Sequence, residues 1–186
     1  VQDVIETDAY DAETMEPLSV LIGDFAAAMD EDNITMRAVK MHFKTGSGKK
    51  PLSKCGFSST VKYSSVTFED GEYVLGAPEM VLKERYETYE AQFKELTENG
   101  ARVLAFGIYD GECGGKPLEQ GIVPLGFLRI VNPIRESAKE TFSYFAEQGV
   151  DVKVISGDNP LTVSRVAAQA GICNADRYTD ASTLRD

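Results

Sequence analysis

The chain has 186 residues and carries 19 basic against 30 acidic side chains, a net charge of −11. That balance excludes a nucleic-acid binder built on a basic stripe, and the single histidine, His42, excludes a multi-histidine metal site. With 42% apolar residues there is material for the core of one large domain or two small ones. No apolar run approaches the roughly 18 residues of a membrane-spanning helix. The start, Val1-Gln2-Asp3-Val4, lacks the basic and apolar regions of a signal peptide. Cys55, Cys113 and Cys173 are odd in number and widely spaced, which suits a reducing compartment better than a disulfide framework. The expectation is a soluble, acidic, intracellular piece of protein.

In chain order, the first 20 residues are polar and acidic and read as a loose lead-in. Between Phe25 and Lys40, Met29, Met36 and Val39 recur at helical intervals around the run Asp30-Glu31-Asp32. This predicts two short helices, the second capped near Asn33 or Thr35. Lys44 to Pro51 is a basic, turn-rich loop. Ser65-Val66-Thr67-Phe68 and Glu72-Tyr73-Val74-Leu75 flank Glu69-Asp70-Gly71, a hairpin signal. Pro78 suits the first turn of a helix, and Tyr86, Tyr89, Phe93 and Leu96 continue at spacings of three and four to a terminating Gly100. Val103 to Tyr109 and Gly121 to Val131 read as strands around a glycine-rich loop, Gly111 to Pro117.

After Asn132-Pro133 the pattern changes. Glu136 to Gln148 reads as an amphipathic helix ended by Gly149, Val150 to Ile155 as a buried strand, and Pro160 to Ala170 as a helix stopped by Gly171. Helix, strand, polar turn and helix make half of an α/β layer, with ligands expected at the carboxyl end of the strand. The fold class expected is therefore α+β, an antiparallel sheet with packed helices, followed by a partial α/β segment from about residue 131.

Ser156-Gly157-Asp158-Asn159 offers a hydroxyl, backbone N–H groups, a carboxylate and a helix start, which together suit a phosphoryl group; simple helix capping is the plainer reading. Gly48-Lys49 imitates the end of a phosphate loop, but Phe43 and Lys50 stand where that motif needs glycine and Ser or Thr. Ala27-Ala28-Met29-Asp30-Glu31-Asp32 resembles the nucleophile segment of haloacid-dehalogenase-like phosphohydrolases, although its apolar part is helix-forming. Phe57-Ser58-Ser59 with Lys62, then Gly76-Ala77-Pro78-Glu79, then Arg102 combine an aromatic face, two cations and glycine-permitted backbone approach, as an adenine nucleotide needs. Taken singly, Phe57 would more commonly be a core strand residue, and Lys62 and Arg102 parts of a solvated face.

These pieces in their order, followed by Asn132-Pro133-Ile134-Arg135 and Ser156-Gly157-Asp158-Asn159, resemble the cytoplasmic part of a bacterial cation-transporting P-type ATPase of calcium-pump type. The resemblance runs from about residue 30 to 173. It implies a nucleotide-binding domain over residues 1–130 and part of a haloacid-dehalogenase-like phosphorylation domain over 131–186. Phe57 would then stack on adenine, Lys62 would lie along the nucleotide, Gly76 and Ala77 would floor the pocket, and Arg102 would approach the phosphates; Ser59 lies in the same stretch. Ser156, Gly157 and Asp158 would meet the phosphoryl group when the pump closes, with residues 132–135 as hinge. The implied ligands are ATP and Mg²⁺ as the nucleotide complex. The implied partners are the remaining phosphorylation, actuator and membrane domains, and the implied location is the cytoplasmic face of a membrane.

The sequence departs from the family pattern at Leu75 and Ser59, where the family carries a lysine and often an arginine, and at Asn132 and Ile134 in the hinge. The phosphorylated Asp-Lys-Thr-Gly-Thr sequence is missing, so the chain alone is expected to be inactive. Two other readings are a phosphohydrolase using Asp30 as nucleophile and a non-catalytic interaction module. With a single strand, residues 131–186 are also expected to be mobile, and less protected than the sheet, or to pack against another copy.

Overall fold

The computed structural model describes residues 1–30, 33–97, 100–131, 134–156 and 160–179, with the backbone alone at 161 and 162. The chain divides into two units, Val1–Phe93 with Val103–Ile130, and Lys94–Arg102 with Val131–Asp186.

The first unit is built on one six-stranded sheet. Its strands are β1 (Asp3–Glu6), β2 (Ser53–Cys55), β3 (Tyr63–Phe68), β4 (Gly71–Gly76), β5 (Arg102–Tyr109) and β6 (Val123–Ile130), in the order β1-β6-β5-β4-β3-β2. The pairs β1–β6, β2–β3, β3–β4 and β4–β5 are antiparallel. With helices packed on this sheet, the α+β class holds. The hairpin forms where Asp70-Gly71 predicts it, with Phe68 opposite Gly71.

The acidic start is not a loose lead-in. Asp3 to Glu6 pair with Arg129 to Gly126, and the Asp3 carboxylate accepts a hydrogen bond from the Arg129 guanidinium at 3.2 Å. The edge of β6 presents unpaired N–H and C=O groups, and this segment satisfies them while half-burying Val4 and Ile5. Backbone pairing of this kind leaves little trace in composition.

Strand alternation sorts the apolar residues. Val66, Phe68, Tyr73, Leu75 and Phe106 form one core with helices α1 (Leu18–Ala28) and α2 (Ile34–His42). From α1 come Leu18, Leu21, Ile22 and Phe25, one stripe at helical spacing. The Phe106 ring takes Phe25 edge-on at 5.6 Å and stacks on Tyr73 at 5.8 Å. Of the two caps the sequence offers, Asn33 holds α2, its side chain accepting the Met36 N–H at 2.8 Å, while Thr35 lies inside the helix. Beyond the hairpin, Pro78 opens the short helix α3 (Pro78–Val81). In α4 (Tyr86–Thr97), Phe93 and Tyr89 meet Phe127 edge-on at 4.8 and 5.0 Å. Gly100, at φ +75°, follows that helix and donates its N–H to the Thr97 carbonyl.

A buried carboxylate ties the basic loop to α1. Asp24 is 2% exposed and accepts bonds from the Ser47 hydroxyl (2.7 Å) and from the N–H groups of Ser47 (3.1 Å), Gly48 (2.9 Å) and Lys49 (3.3 Å). The loop lies so close that a Cβ on Gly23 would collide with the Thr45 carbonyl. Burial pushes the Asp24 carboxyl upward, but these donors outweigh it and hold it below the usual carboxylate range.

The second unit carries α5 (Ala138–Glu147) and α6 (Pro160–Gln169), followed by Gly149 at φ +74° and Gly171 at φ +89°, the expected helix stops. The strand expected over Val150 to Ile155 is absent: the segment is irregular and Ile155 is 98% exposed. A strand needs partners for its N–H and C=O groups, and among the described residues none of the six strands pairs with it. Asn132 and Pro133 of the expected hinge, and Gly157 to Asn159 of the polar turn, lie outside the described residues.

Two expectations follow from this packing. Asp24→Ala should lower stability by about 2 kcal/mol in chemical unfolding, since a charged acceptor of several hydrogen bonds is lost. Because the folded-state carboxyl is depressed, its contribution is present above the unfolded value near pH 4 and is lost as pH falls through the folded value; Asp24→Asn should flatten that acid limb. In native-state amide exchange, α5, which has no buried residue, should exchange faster than β3 and β4, where nearly every residue is buried. Equal protection in the two would contradict the packing described.

Candidate functional site

Edge strand β2 delivers the chain to the first group of candidate residues. Cys55 sits opposite Ser65 on β3, and the chain then leaves the sheet through Gly56 to Val61 before re-entering at Tyr63. The excursion is a tight turn. The Ser58 carbonyl accepts the Lys62 N–H at 2.7 Å, the Ser58 hydroxyl accepts the Thr60 N–H at 3.2 Å, and Val61 is buried as an anchor.

Phe57 opens this turn and is 49% exposed. It is therefore not the core strand residue that an isolated phenylalanine most often becomes. Ser59 is exposed on the same turn. Lys62 closes it with φ +55°, a left-handed backbone that costs a non-glycine residue on the order of 1 kcal/mol.

That backbone aims the Lys62 carbonyl at the end of β4, where it accepts the Ala77 N–H at 2.9 Å. The close approach requires Gly76. A Cβ there would lie 2.6 Å from Tyr63 Cβ, 2.7 Å from Val81 Cγ1 and 2.8 Å from the Lys62 oxygen. Pro78 then starts α3 directly after Ala77. Gly76-Ala77-Pro78 thus brings the Phe57–Lys62 turn and the start of α3 together through backbone contacts.

Among the described residues, the Lys62 ammonium has the Glu79 carboxylate near it at 3.9 Å, with both side chains about half exposed. An exposed pair at that distance contributes little and leaves the cation able to meet an anionic ligand. Leu75, where the family pattern has a lysine, turns into the core at 4% exposure and supplies no charge. Lys54, on β2, was not legible as a partner in the sequence; its ammonium meets both oxygens of Asp30, at 2.9 and 3.0 Å. Arg102 is exposed at the first position of β5 and groups with the second unit. Ser156 is exposed there, while Gly157 and Asp158 are outside the described residues.

The competing sites fare differently. Gly48-Lys49 is no phosphate cradle, because the Asp24 carboxylate already takes the N–H groups an anion would use, and the Lys49 ammonium meets Glu16 and Asp70, each at 2.7 Å. Asp30 follows a helix, α1, rather than the strand that a haloacid-dehalogenase nucleophile follows, and it is exposed and paired with Lys54. Among the described residues, no group of three His, Cys, Asp or Glu side chains could hold a metal ion. None of the described helices is long and apolar enough to cross a membrane.

Comparison with known proteins gives the family. No protein-family model matches the chain. A probable cation-transporting ATPase (exp7) of Streptococcus pneumoniae is 36% identical over 176 residues, spanning 92% of this chain and 22% of that protein. The calcium-transporting ATPase CtpE of Mycobacterium bovis is 31% identical, spanning 91% of this chain and 21% of that protein. The chain thus spans about a fifth of the length of the curated relatives it matches. A solved zinc-transporting PIB-type ATPase in its E2.Pi state covers 92% of this chain and 25% of its own, with a TM-score of 0.54 at 16% identity, a likeness of fold alone. On these relatives, the chain belongs to the P-type ATPases, of which it spans a part, and the solved fold agrees.

Proposed function

We propose that this segment is the nucleotide-binding part of its pump, residues 1–130, joined to the beginning of the phosphorylation domain, residues 131–186. The observation that carries the reading is Phe57: a half-exposed ring on a turn whose other end is Lys62, beside backbone that only glycine at 76 permits. A half-exposed aromatic face offers an adenine ring a stacking surface, worth about 1–3 kcal/mol for a nucleic-acid base. The Lys62 ammonium supplies charge toward the phosphates. Gly76 is buried and holds the corner together, half-buried Ala77 is the main chain nearest the ligand, and Ser59 adds a hydroxyl. For Arg102, Ser156, Gly157 and Asp158 the phosphoryl roles rest on the family resemblance alone.

The chemistry assigned to this chain is binding and orientation. ATP is the substrate, and Mg²⁺ enters as its counter-ion, which matters for a chain of net charge −11. Phosphoryl transfer belongs to an aspartate supplied elsewhere in the pump, so the nucleotide has to be held and then presented on domain closure. Cation transport across a membrane, from the cytoplasmic face, is the activity proposed for the whole protein. A surface with one stacking ring and one cation, lacking the family's charge at Leu75 and Ser59, should bind weakly. A millimolar dissociation constant corresponds to about −4.1 kcal/mol.

Calorimetric titration of the 186-residue chain with Mg·ATP, ADP and adenosine should give saturable binding in the high-micromolar to millimolar range. Phe57→Ala should weaken all three by roughly 10-fold, or about 1.4 kcal/mol. Lys62→Ala should weaken ATP and ADP while sparing adenosine. Affinities for all three that are unchanged by Phe57→Ala would reject the reading.

A further inference from the structure

Two thiols converge on one face of the sheet. The ladder Cys55–Ser65–Val74 places Cys55 directly across from Ser65, on the face that also carries Tyr63 and Glu72. Facing side chains in such a pair have Cβ atoms about 4.5–5.5 Å apart. The glycine-rich segment between β5 and β6 crosses this face and brings Cys113, 2% exposed, onto it. Its backbone is fixed by two side chains of that face. The Glu72 carboxylate accepts the Cys113 N–H at 3.1 Å, and the Tyr63 hydroxyl donates to the carbonyls of Cys113 (3.3 Å) and Lys116 (2.6 Å). The Cys113 thiol lies within electrostatic reach of Glu72, Ser65 and Tyr63.

Ser65 therefore lies on the same face as the Cys113 thiol and directly across from Cys55. Cys55 also reaches the same loop directly: its sulfur would lie 2.9 Å from a Cβ on Gly115, two residues beyond Cys113. Both cysteines are free thiols, Cys55 half-buried and Cys113 buried. A hollow of about 480 Å³ beside this loop is lined by Glu112, Cys113 and Lys116.

From this placement we infer that Cys55 and Cys113 are a dithiol site that closes to a reversible disulfide by exchange with a small-molecule disulfide. Cys55, the accessible member on the edge strand, attacks the small disulfide as thiolate and releases one small thiol, leaving a mixed disulfide. The Cys113 sulfur then attacks Cys55 Sγ, the bond from Cys55 to the small thiol breaks, and the Cys113 proton passes to the departing sulfur, which leaves as the second small thiol. Two protein thiols are oxidised, and one small disulfide is reduced to two thiols. Burial first, and the Glu72 carboxylate next, hold the Cys113 thiol well above the usual range. Cys113 is accordingly inert toward outside oxidants until Cys55 has been activated. The closed form staples the glycine-rich loop to the strand that leads into Phe57.

The test is a redox titration of the native chain in glutathione disulfide and glutathione, quenched with acid, alkylated and mapped by mass spectrometry. Two of the three thiols should be lost together, with Cys55 and Cys113 peptides recovered as one cross-linked pair while Cys173 is modified separately. Cys173→Ser should leave the cross-link intact. In Cys55→Ser, checked for native fold by near-UV circular dichroism, Cys113 should remain an unmodified thiol. Recovery of Cys55 as a glutathione adduct beside a free Cys113, or of either residue joined to Cys173, would overturn the inference.

Discussion

Where β4 ends there is no room for a side chain, and the candidate site depends on that lack of space. At Gly76 the backbone runs between Tyr63, Val81 and the carbonyl of Lys62, at distances a Cβ would bring below 3 Å. One consequence is the hydrogen bond from the Ala77 N–H to the Lys62 carbonyl, which holds Lys62 in its left-handed conformation. Another is that the Phe57–Lys62 turn and the start of α3 become neighbours although 15–20 residues of hairpin separate them. Left-handed strain at a non-glycine residue persists where the surroundings over-determine it. Here the surroundings are the Ser58 carbonyl on one side and Ala77 on the other. The aromatic ring and the ammonium are thus presented by a backbone with few alternatives.

Electrostatics divide the lysines by use. Lys49 is spent on structure, clasped by Glu16 and Asp70 with Tyr73 beneath it at 5.9 Å. Lys54 is matched to Asp30 through both carboxylate oxygens. Lys62, with Glu79 at 3.9 Å and both side chains about half exposed, is the lysine the proposed function assigns to the nucleotide. The same contrast applies to backbone donors. The N–H groups of residues 47–49 look inviting to an anion in the sequence, but in the fold they serve the chain's own Asp24.

Local chemistry was legible in the sequence wherever it was local. Asp70-Gly71 announced the hairpin, Asn33 the cap of α2, Pro78 the start of α3, and Gly100, Gly149 and Gly171 the ends of helices, because each answers to φ preference or capping within a few residues. Long-range pairing was not legible. Asp3 to Glu6 become a strand only because β6 offers an edge 120 residues later, and Val150 to Ile155 fail to become one because no described strand receives them. For the site, the residue types at Phe57, Lys62, Gly76 and Ala77 were readable as a set. Their juxtaposition through one backbone hydrogen bond was not, nor was the burial of Leu75 in the core. The Cys55–Ser65–Cys113 arrangement was hidden for the same reason, since strand register and a crossing loop create it.

The central claim is that the Phe57–Lys62 turn and the Gly76-Ala77 corner are one ligand surface. The measurement that tests it most directly is a residue-resolved NMR titration of the isotope-labelled chain with Mg·ATP. The account predicts saturable shifts concentrated at Phe57, Ser59, Lys62, Gly76 and Ala77, moving with a single dissociation constant, while Ser47, Gly48 and Lys49 stay still. Shifts that cluster at residues 47–49, or that spread without saturating, would contradict it.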